Sequence, residues 1–249
     1  MVLTDAGLYQ RGIQTLVASW QACARGSRGA AVVRSAGVAA AIFPAGPERA
    51  YYNNAVLQPF LPTTGRAAAL EAMTAAYAAA AVPRFAAWVH ESDTAMRGDL
   101  EARGYTLDDS TRAMGMELNG IRLPRPQLEL APADWAEYLR IIGVPAGLLS
   151  GVDRAAFRVL IARLDGTGAA AAMTADCAGD CGIYNVVTLD WARRRGLGTA
   201  LTALAVHEAA ARGCRTASLQ STPAAERVYA AVGFRDLGRI LEYVPTATA

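Results

Sequence analysis

One order of predicted secondary structure occurs twice along the chain, and this repetition limits the possible folds more than any other feature. In each series a strand, a helix and a second strand precede a short helix, which ends at Gly104-Tyr105 and again at Gly233-Phe234. These pairs lie 129 residues apart, as do Arg66 and Arg195. The first series has three additional residues between its strand and its helix. We interpret the repetition as an internal duplication of an α/β unit.

The pattern of apolar and turn-forming residues predicts the elements themselves. Asp5–Arg25 has apolar residues at helical spacing, and Asp153 suits the N-cap of a second-series helix. Asn119–Pro126, with its glycine and prolines, is the best linker candidate. Because strands alternate with helices, we expect sheets covered by helices. The predicted helices are 5–25, 66–82, 94–103, 132–142, 153–164, 196–212 and 223–231, and the predicted strands are 30–33, 38–43, 51–57, 85–89, 112–118, 128–130, 169–174, 182–189, 216–220 and 239–244.

Composition argues against several classes of protein. The 249 residues suffice for two domains, and 53% of them are hydrophobic, which argues against a disordered chain. The 24 basic residues, all arginine, nearly balance the 22 acidic ones. A protein built to hold nucleic acid normally shows a strong basic excess. We therefore expect no nucleic-acid partner.

Targeting and metal-binding signals are not found in the sequence. No run of ~20 apolar residues suits a membrane span, and Met1–Trp20 has no basic segment before an apolar core. The four scattered cysteines and two histidines form no zinc-ligand pattern. We expect a cytoplasmic protein, as a monomer or homodimer, with reduced thiols, no metal and no membrane partner.

The stretch Asp190–Thr199, which follows a predicted strand and enters a predicted helix, carries the strongest chemical signal. Free N–H groups and a partial positive charge at a helix N-terminus favour an anion. Gly196 and Gly198 allow close approach of the backbone, and Arg193–Arg195 add positive potential. We interpret the stretch as a cradle for phosphate or pyrophosphate. It is neither a P-loop, since no Gly-Lys-Ser/Thr follows, nor a dinucleotide fingerprint, which needs three glycines.

Two motifs of the second series resemble those of one enzyme family. Arg193-x-x-Gly196-x-Gly198 resembles the R/Q-x-x-G-x-G/A loop of the GNAT superfamily of acetyl-CoA-dependent acyltransferases. Thr222–Phe234 resembles the family's N-x-x-A-x-x-x-Y-x-x-x-G-F segment, with threonine where asparagine is common. The resemblance extends over about 128–244. It implies an α/β (α+β) chain with two GNAT-like domains, each a mixed, mostly antiparallel, twisted sheet flanked by helices.

The resemblance also implies an acyl-CoA N-acyltransferase that moves an acetyl group from acetyl-CoA directly to a primary amine of a small molecule or peptide. Strand 184–188 would bind the pantetheine arm and part from strand 216–220 to admit the thioester. A backbone N–H near Val186 or Val187 would stabilise the oxyanion, and Tyr229 matches the position that protonates the departing thiolate. The implied acetyl-CoA-binding residues are Asn185, Val186, Val187, Thr188, Arg193, Arg194, Arg195, Gly196, Leu197, Gly198, Thr199, Ala200, Thr222 and Ala225.

The first series lacks these features. Thr64–Leu70 has no second glycine at the required spacing, and Leu100 corresponds to Tyr229. We therefore predict a degenerate GNAT-like domain over 1–120, without a pyrophosphate loop, and a catalytic acetyl-CoA-binding domain over 127–249. The first domain is expected to support the sheet and to line the acceptor pocket. The candidate acceptor-binding residues are Asn54, Trp88, Glu91 and Tyr184.

Three points stay open at the level of the residues. No base is assigned for the amine, because strand 182–189 contains no carboxylate and Asp180 is interpreted as a turn residue. The acceptor cannot be read from a single sequence. The alternatives are a CoA-binding regulatory module without turnover, and an enzyme that uses a longer acyl-CoA or an oxygen acceptor.

Overall fold

Helices and strands alternate along the computed structural model, which describes residues 3–45, 53–144 and 151–246. None of the helices in these ranges is long and apolar enough to span a membrane. The helices are α1 (Asp5–Arg25), α2 (Thr63–Ala79), α3 (Thr94–Ala102), α4 (Trp135–Ile142), α5 (Leu197–Ala211) and α6 (Glu226–Val232). The strands are β1 (Ala31–Ser35), β2 (Val38–Ile42), β3 (Asn54–Leu57), β4 (Ala86–His90), β5 (Tyr105–Glu117), β6 (Arg158–Leu164), β7 (Thr167–Cys177), β8 (Asp180–Thr188), β9 (Thr216–Ser221) and β10 (Arg235–Pro245).

The chain divides into two compact units whose segments alternate along the sequence. Unit 1 comprises Met1–Ser19, Arg112–Leu149 and Asp153–Leu237, and unit 2 comprises Trp20–Thr111, Ser150–Val152 and Gly238–Ala249. Strands β5 and β10 each contribute residues to both units. The units therefore differ from the consecutive ranges 1–120 and 127–249, and the division into a degenerate and a catalytic domain stays a prediction.

Unit 1 is built on a sheet with the strand order β5-β9-β8-β7-β6, in which only β8 and β9 are parallel. Helices α4 and α5 both pack against β7 and β8. The four alanines at 169–172 of β7 are completely buried. Their short side chains let the helices approach the strand closely, and α5 contributes buried leucines such as Leu201 and Leu204 to the same core.

Unit 2 has the strand order β1-β2-β3-β4-β10, in which only β3 and β4 are parallel. Its core lies between this sheet and helices α2 and α3, where Leu70, Met73 and Leu100 are at most 1% exposed. The ring of Tyr77 stacks on Phe85 with centroids 4.0 Å apart. Each unit is thus a mixed, mostly antiparallel sheet flanked by helices, which confirms the predicted fold class.

The order of elements repeats as the sequence predicts. Two parallel strands are joined by a helix in β3-α2-β4 and again in β8-α5-β9. The helix that follows ends at a glycine with positive φ in both series, at Gly104 (+79°) and Gly233 (+117°). A left-handed residue at this position is a common helix end, and glycine adopts it without strain.

The prediction of a helix over 153–164 is wrong. Asp153 accepts a 3.2 Å hydrogen bond from the N–H of Ala155, but it caps only a 3-10 turn, Arg154–Ala156. Strand β6 follows and returns as β7 through Asp165-Gly166, whose φ angles of +50° and +74° match a two-residue hairpin turn. The predicted strand 128–130 is reduced to one bridge, Leu130 to Ala162, and residues 51 and 52 of the predicted strand 51–57 lie outside the described residues.

Candidate functional site

Strands β8 and β9 of unit 1 run side by side only at their beginnings. In the parallel register Asp180 pairs with Thr216, Cys181 with Ala217 and Gly182 with Ser218. The register ends there, although β8 continues to Thr188 and β9 to Ser221. We call the space beyond Gly182 and Ser218 the β8–β9 opening. Backbone N–H and C=O groups on the β8 side of the opening are released from sheet pairing with β9 and can bind an extended ligand.

A buried carboxylate joins the paired ends of the two strands. Asp180 is 2% exposed, and its two oxygens accept hydrogen bonds of 2.6 Å from the hydroxyl of Thr216 and 2.7 Å from that of Ser218. Its interpretation as a turn residue is wrong. The turn consists of Ala178 and Gly179, both with positive φ, and Asp180 is the first residue of β8.

Tyr184 lies where the strands part. A Cβ on Gly182 would overlap its hydroxyl group, so the phenol extends back along its own strand over the glycine. Since Gly182 and Ser218 form the last pair in register, the half-buried Tyr184 ring stands at the closed end of the β8–β9 opening. Glycine at 182 is therefore required to place this aromatic residue.

Helix α5 is the first α-helix after β8, and no described side chain caps its N-terminus. A 3-10 turn, Asp190–Ala192, leads into the cradle, where Arg194 (φ +65°) and Gly196 (φ +76°) adopt left-handed conformations. Gly196 is the N-cap, no described side chain caps the helix, and its first turn contains no acidic residue. The first helical bond runs from the N–H of Ala200 to the carbonyl of Gly196, at 2.9 Å. The amides of residues 197–199 precede it and are available to an anion.

The side chains of the cradle fit this interpretation. Arg193, Arg194 and Arg195 are exposed, and Arg193 reaches Asp190 at 2.8 Å. A Cβ on Gly198 would lie 3.9 Å from its nearest neighbours, the Thr188 hydroxyl and Val228, so the fold itself does not require glycine there. Leu197 is 6% exposed and packs in the core, which leaves only its backbone to a ligand. Thr199 and Ala200 are half-buried in the first turn.

Tyr229 lies on α6, the helix that follows β9. It is 7% exposed and meets Phe234 edge to face, with ring centroids 6.2 Å apart. Burial raises the pKa of Tyr229 to about 12, so its hydroxyl keeps its proton at neutral pH. Glu226 in the first turn of the helix forms a 3.1 Å ion pair with Arg112 of β5.

The remaining cofactor candidates lie on the two sides of the opening. Val186, Val187 and Thr188 are half-buried residues in the last part of β8. Asn185 precedes them with a φ of +53°, and its side-chain amide donates a 3.0 Å hydrogen bond to the hydroxyl of Tyr138. Beyond β9, Thr222 is exposed and its carbonyl accepts a 3.0 Å bond from the N–H of Ala225, the N-cap of α6.

Three candidate acceptor residues belong to unit 2, whereas Tyr184 belongs to unit 1. Asn54 is buried on β3, and Trp88 on β4 meets Trp20 edge to face at 5.6 Å. Glu91 follows β4 and accepts a 2.8 Å hydrogen bond from the backbone N–H of Arg239. Their role in binding an acceptor stays a prediction.

The helix of unit 2 that corresponds to α5 has a different N-terminus. In the first turn of α2, a Cβ on Gly65 would lie 3.3 to 3.5 Å from Pro62 and Leu61, and Arg66 forms a 2.6 Å ion pair with Asp99. This arginine is paired with a carboxylate and is less exposed than the paired Arg193 of the cradle, with 14% against 65% of the side chain exposed. Within the described ranges, no group of three or more histidine, cysteine or acidic side chains is arranged to hold a metal ion.

Sequence reasoning missed two features of this site. Tyr138 lies within the predicted helix 132–142 but was not named as a site residue, and the pairing of Asp180 with Thr216 and Ser218 joins residues 36 and 38 positions apart. The Ala-Gly pair before Asp180 is a hairpin signal that would have placed Asp180 in the following strand.

Comparison with known proteins gives a family match over part of the chain and a similar fold over most of it. Residues 126–234 match the model of the acetyltransferase (GNAT) family, and this range contains α4 to α6 with the cradle, β8 and β9. No curated protein sequence matches the chain significantly.

Several solved structures have a similar fold over most of the chain. A GCN5-related N-acetyltransferase from Kribbella flavida is 20% identical, with 97% of this chain and 96% of that chain covered and a TM-score of 0.69. A tandem GNAT protein from the clavulanic acid biosynthesis pathway is 17% identical, with 96% of each chain covered and a TM-score of 0.58. A functionally unknown conserved protein from Staphylococcus epidermidis ATCC 12228 is 10% identical over 87% of this chain and 94% of that chain, with a TM-score of 0.60. At these identities the likeness establishes the fold alone. Residues 126–234, which make up less than half of the chain, are therefore similar to the GNAT family of acetyltransferases.

Proposed function

We propose that this protein transfers an acetyl group from acetyl-CoA to a primary amine of a small molecule or peptide, by direct attack and without a covalent enzyme intermediate. The observation that carries the proposal is that the β8–β9 opening and the uncapped N-terminus of α5 lie at the same end of β8. The position of a Cβ on Gly198 is only 3.9 Å from the hydroxyl of Thr188, the last residue of β8. A ligand with a diphosphate and an extended amide-containing arm matches both features.

The cradle suits the diphosphate of acetyl-CoA. Backbone N–H groups of Leu197, Gly198 and Thr199, with the positive end of the helix dipole, would bind the phosphate oxygens. The exposed guanidinium groups of Arg193–Arg195 would add charge-assisted contacts from the solvent side. The released edge of β8 offers hydrogen-bonding groups to the amides of the pantetheine arm.

The residues beside the opening can support acyl transfer. Acetyl-CoA supplies an activated thioester whose carbonyl carbon accepts an amine. A backbone N–H of Val186 or Val187 would stabilise the oxyanion, a contact that contributes roughly 2.7–4 kcal/mol in measured oxyanion holes. Tyr229 would donate its proton to the departing sulfur, since the raised pKa keeps that proton on the phenol at neutral pH.

The test is the release of CoA thiol from acetyl-CoA in the presence of a panel of primary amines. We expect turnover with at least one amine, and a loss in Tyr229→Phe of about 10²–10⁴-fold in kcat with little change in the Kd for acetyl-CoA. Tyr77→Phe is the matched control, because this buried tyrosine of unit 2 donates its hydroxyl to the carbonyl of Ala41. It should keep the wild-type kcat.

The same assay separates the alternatives. Binding of acetyl-CoA without thiol release from any amine or alcohol would support a regulatory CoA-binding module and contradict the proposed enzyme. Faster release from longer acyl-CoA thioesters, or with hydroxyl acceptors alone, would correct the donor or the acceptor class.

A further inference from the structure

Strand β8 contains a β-bulge beside the β8–β9 opening. On β7 the register passes from Ala171 to Met173, while on β8 it passes from Val187 to Tyr184, so β8 holds one additional residue. Asn185 lies in this bulge with a φ of +53°. Among residues other than glycine, asparagine is one of those that tolerate this conformation best. A bulge interrupts the alternation of side chains between the two faces of a sheet and changes the direction of the backbone groups that follow it.

One buried hydroxyl group contacts the bulge. The side-chain amide of Asn185 donates a 3.0 Å hydrogen bond to the hydroxyl oxygen of Tyr138 on α4. Tyr138 is fully buried, and its ring lies 5.2 Å from that of Trp135, which in turn meets Phe157 at 6.4 Å. The ring of Tyr138 is therefore positioned by packing. Its hydroxyl accepts the hydrogen bond of Asn185, which is itself only half-buried.

Helix α4 is fixed at both of its ends. The carboxylate of Asp134 accepts a 2.9 Å hydrogen bond from the N–H of Ala136, and Gly143 closes the helix in a left-handed conformation. The helix also packs against both β7 and β8, the two strands that form the bulge. The Tyr138 hydroxyl is thus carried by a helix that is capped at both ends and packs against the two strands of the bulge.

We propose that Tyr138 is a positioning residue for acetyl transfer, which holds the Asn185 bulge and so sets the direction of the backbone N–H groups of Val186 and Val187. The inference rests on the proposed function, because those N–H groups matter to the reaction only if a thioester carbonyl lies beside them. Tyr138 itself is fully buried and acts through Asn185. Diphosphate binding depends on α5 and not on the bulge.

Because the bulge and the diphosphate site are separate, we expect Tyr138→Phe to affect the rate more than the binding of acetyl-CoA. Tyr138→Phe removes one oxygen atom and keeps the ring that packs against Trp135. A misplacement of the oxyanion donors by about 1 Å can lower a rate about 10²-fold, so we expect kcat to fall about 10- to 100-fold. The KM for acetyl-CoA should change much less than kcat, because the diphosphate contacts at α5 stay in place.

Two further variants test the hydrogen bond between Tyr138 and Asn185 from the side of Asn185. Asn185→Gly keeps the positive φ without strain but lacks the amide, and it leaves the core around Tyr138 intact. It should lower kcat as Tyr138→Phe does, and the double variant should be no slower than either single variant. Additive losses of kcat in the double variant would show that the two residues act separately and would overturn the proposal. If Tyr138→Phe fails to fold, the kcat of Asn185→Gly alone tests the role of the hydrogen bond.

Amide chemical shifts supply a readout that a merely structural role would not move. On addition of acetyl-CoA, the amides of Val186 and Val187 should shift in the wild type and much less in Tyr138→Phe. The amides of Gly196 and Gly198 should shift equally in both proteins. Equal shifts at all four amides, or a wild-type kcat in Tyr138→Phe, would overturn the role of Tyr138 alone. A wild-type protein without thiol release would instead contradict the proposed function, and this inference with it.

Discussion

The hydroxyl group of Ser218 donates a 2.7 Å hydrogen bond to the carboxylate of Asp180, at the point where β8 and β9 are about to separate. The same carboxylate accepts a 2.6 Å bond from Thr216. The strands are therefore joined on one side of the opening by a buried acidic side chain and its two hydrogen-bond partners. This arrangement fixes where the opening begins.

Replacement of Asp180 by alanine should destabilise unit 1. Two hydrogen bonds to a charged group would be lost, at roughly 1.5–3 kcal/mol each, and two buried hydroxyls would lose their partner. We expect the free energy of unfolding in urea to fall by about 3 kcal/mol or more. The control is Asp190→Ala, whose carboxylate is 88% exposed and should cost under about 0.5 kcal/mol. Equal effects of the two variants would show that Asp180 has no special structural role.

Glu242 should make the stability of the protein depend on pH. It lies on β10 opposite Trp88, and its pKa is raised from 4.5 to about 7, chiefly by burial and then by Asp109 and Asp108. Between these pH values the folded protein keeps a proton that the unfolded chain has lost. The free energy of unfolding should therefore fall as pH rises from about 4.5 to about 7, by up to about 3 kcal/mol, and stay level above that.

The variant Glu242→Gln tests this dependence. It has no carboxyl group to ionise, so we expect it to lose most of the slope between pH 4.5 and 7 and to be more stable than the wild type at pH 8. Glu71→Gln, at an exposed position of α2, should retain the wild-type slope. Thermal unfolding followed at several pH values measures both. An unchanged slope in Glu242→Gln would show that other groups cause the pH dependence.

Trp191 should report the binding of acetyl-CoA. Its side chain is 51% exposed in the turn before the cradle, whereas Trp20 and Trp135 are 5% and 8% exposed. A ligand bound at the cradle would cover this indole and reduce its quenching by acrylamide. The protection should disappear in Trp191→Phe, although that variant still binds. Protection that persists in Trp191→Phe would place the ligand near another tryptophan.

The features that sequence predicted well are local ones. The bounds of α1 agree with the predicted 5–25, because its helical periodicity lies within one continuous segment. The cradle was predicted for the same reason, since its glycines, arginines and helix start are neighbours in the chain. The left-handed Gly196 agrees with that interpretation, and so does the finding that no side chain in the described part of the chain caps α5.

Features that depend on distant partners were not predictable in the same way. The apolar segment 158–164 suits a helix or a strand, and its pairing with β7 decides for the strand. The bulge at Asn185 depends on the register with β7 and on a tyrosine 47 positions earlier. No periodicity in the sequence identifies β7 as the partner of segment 158–164 or Tyr138 as the partner of Asn185. These contacts arise only when the sheet is assembled.

Calorimetry of acetyl-CoA binding with two matched charge variants tests the central claim, that the N-terminus of α5 binds the diphosphate. Thr199→Asp places a carboxylate in the first turn of α5, and Thr64→Asp does the same in the first turn of α2, where the side chain is exposed. An acidic residue near a helix N-terminus favours the helix by about 0.3–1 kcal/mol, so neither variant should unfold the protein. We predict heat of binding for the wild type and for Thr64→Asp, and no heat of binding for Thr199→Asp. Equal binding by all three proteins, or no binding by the wild type, would contradict the account.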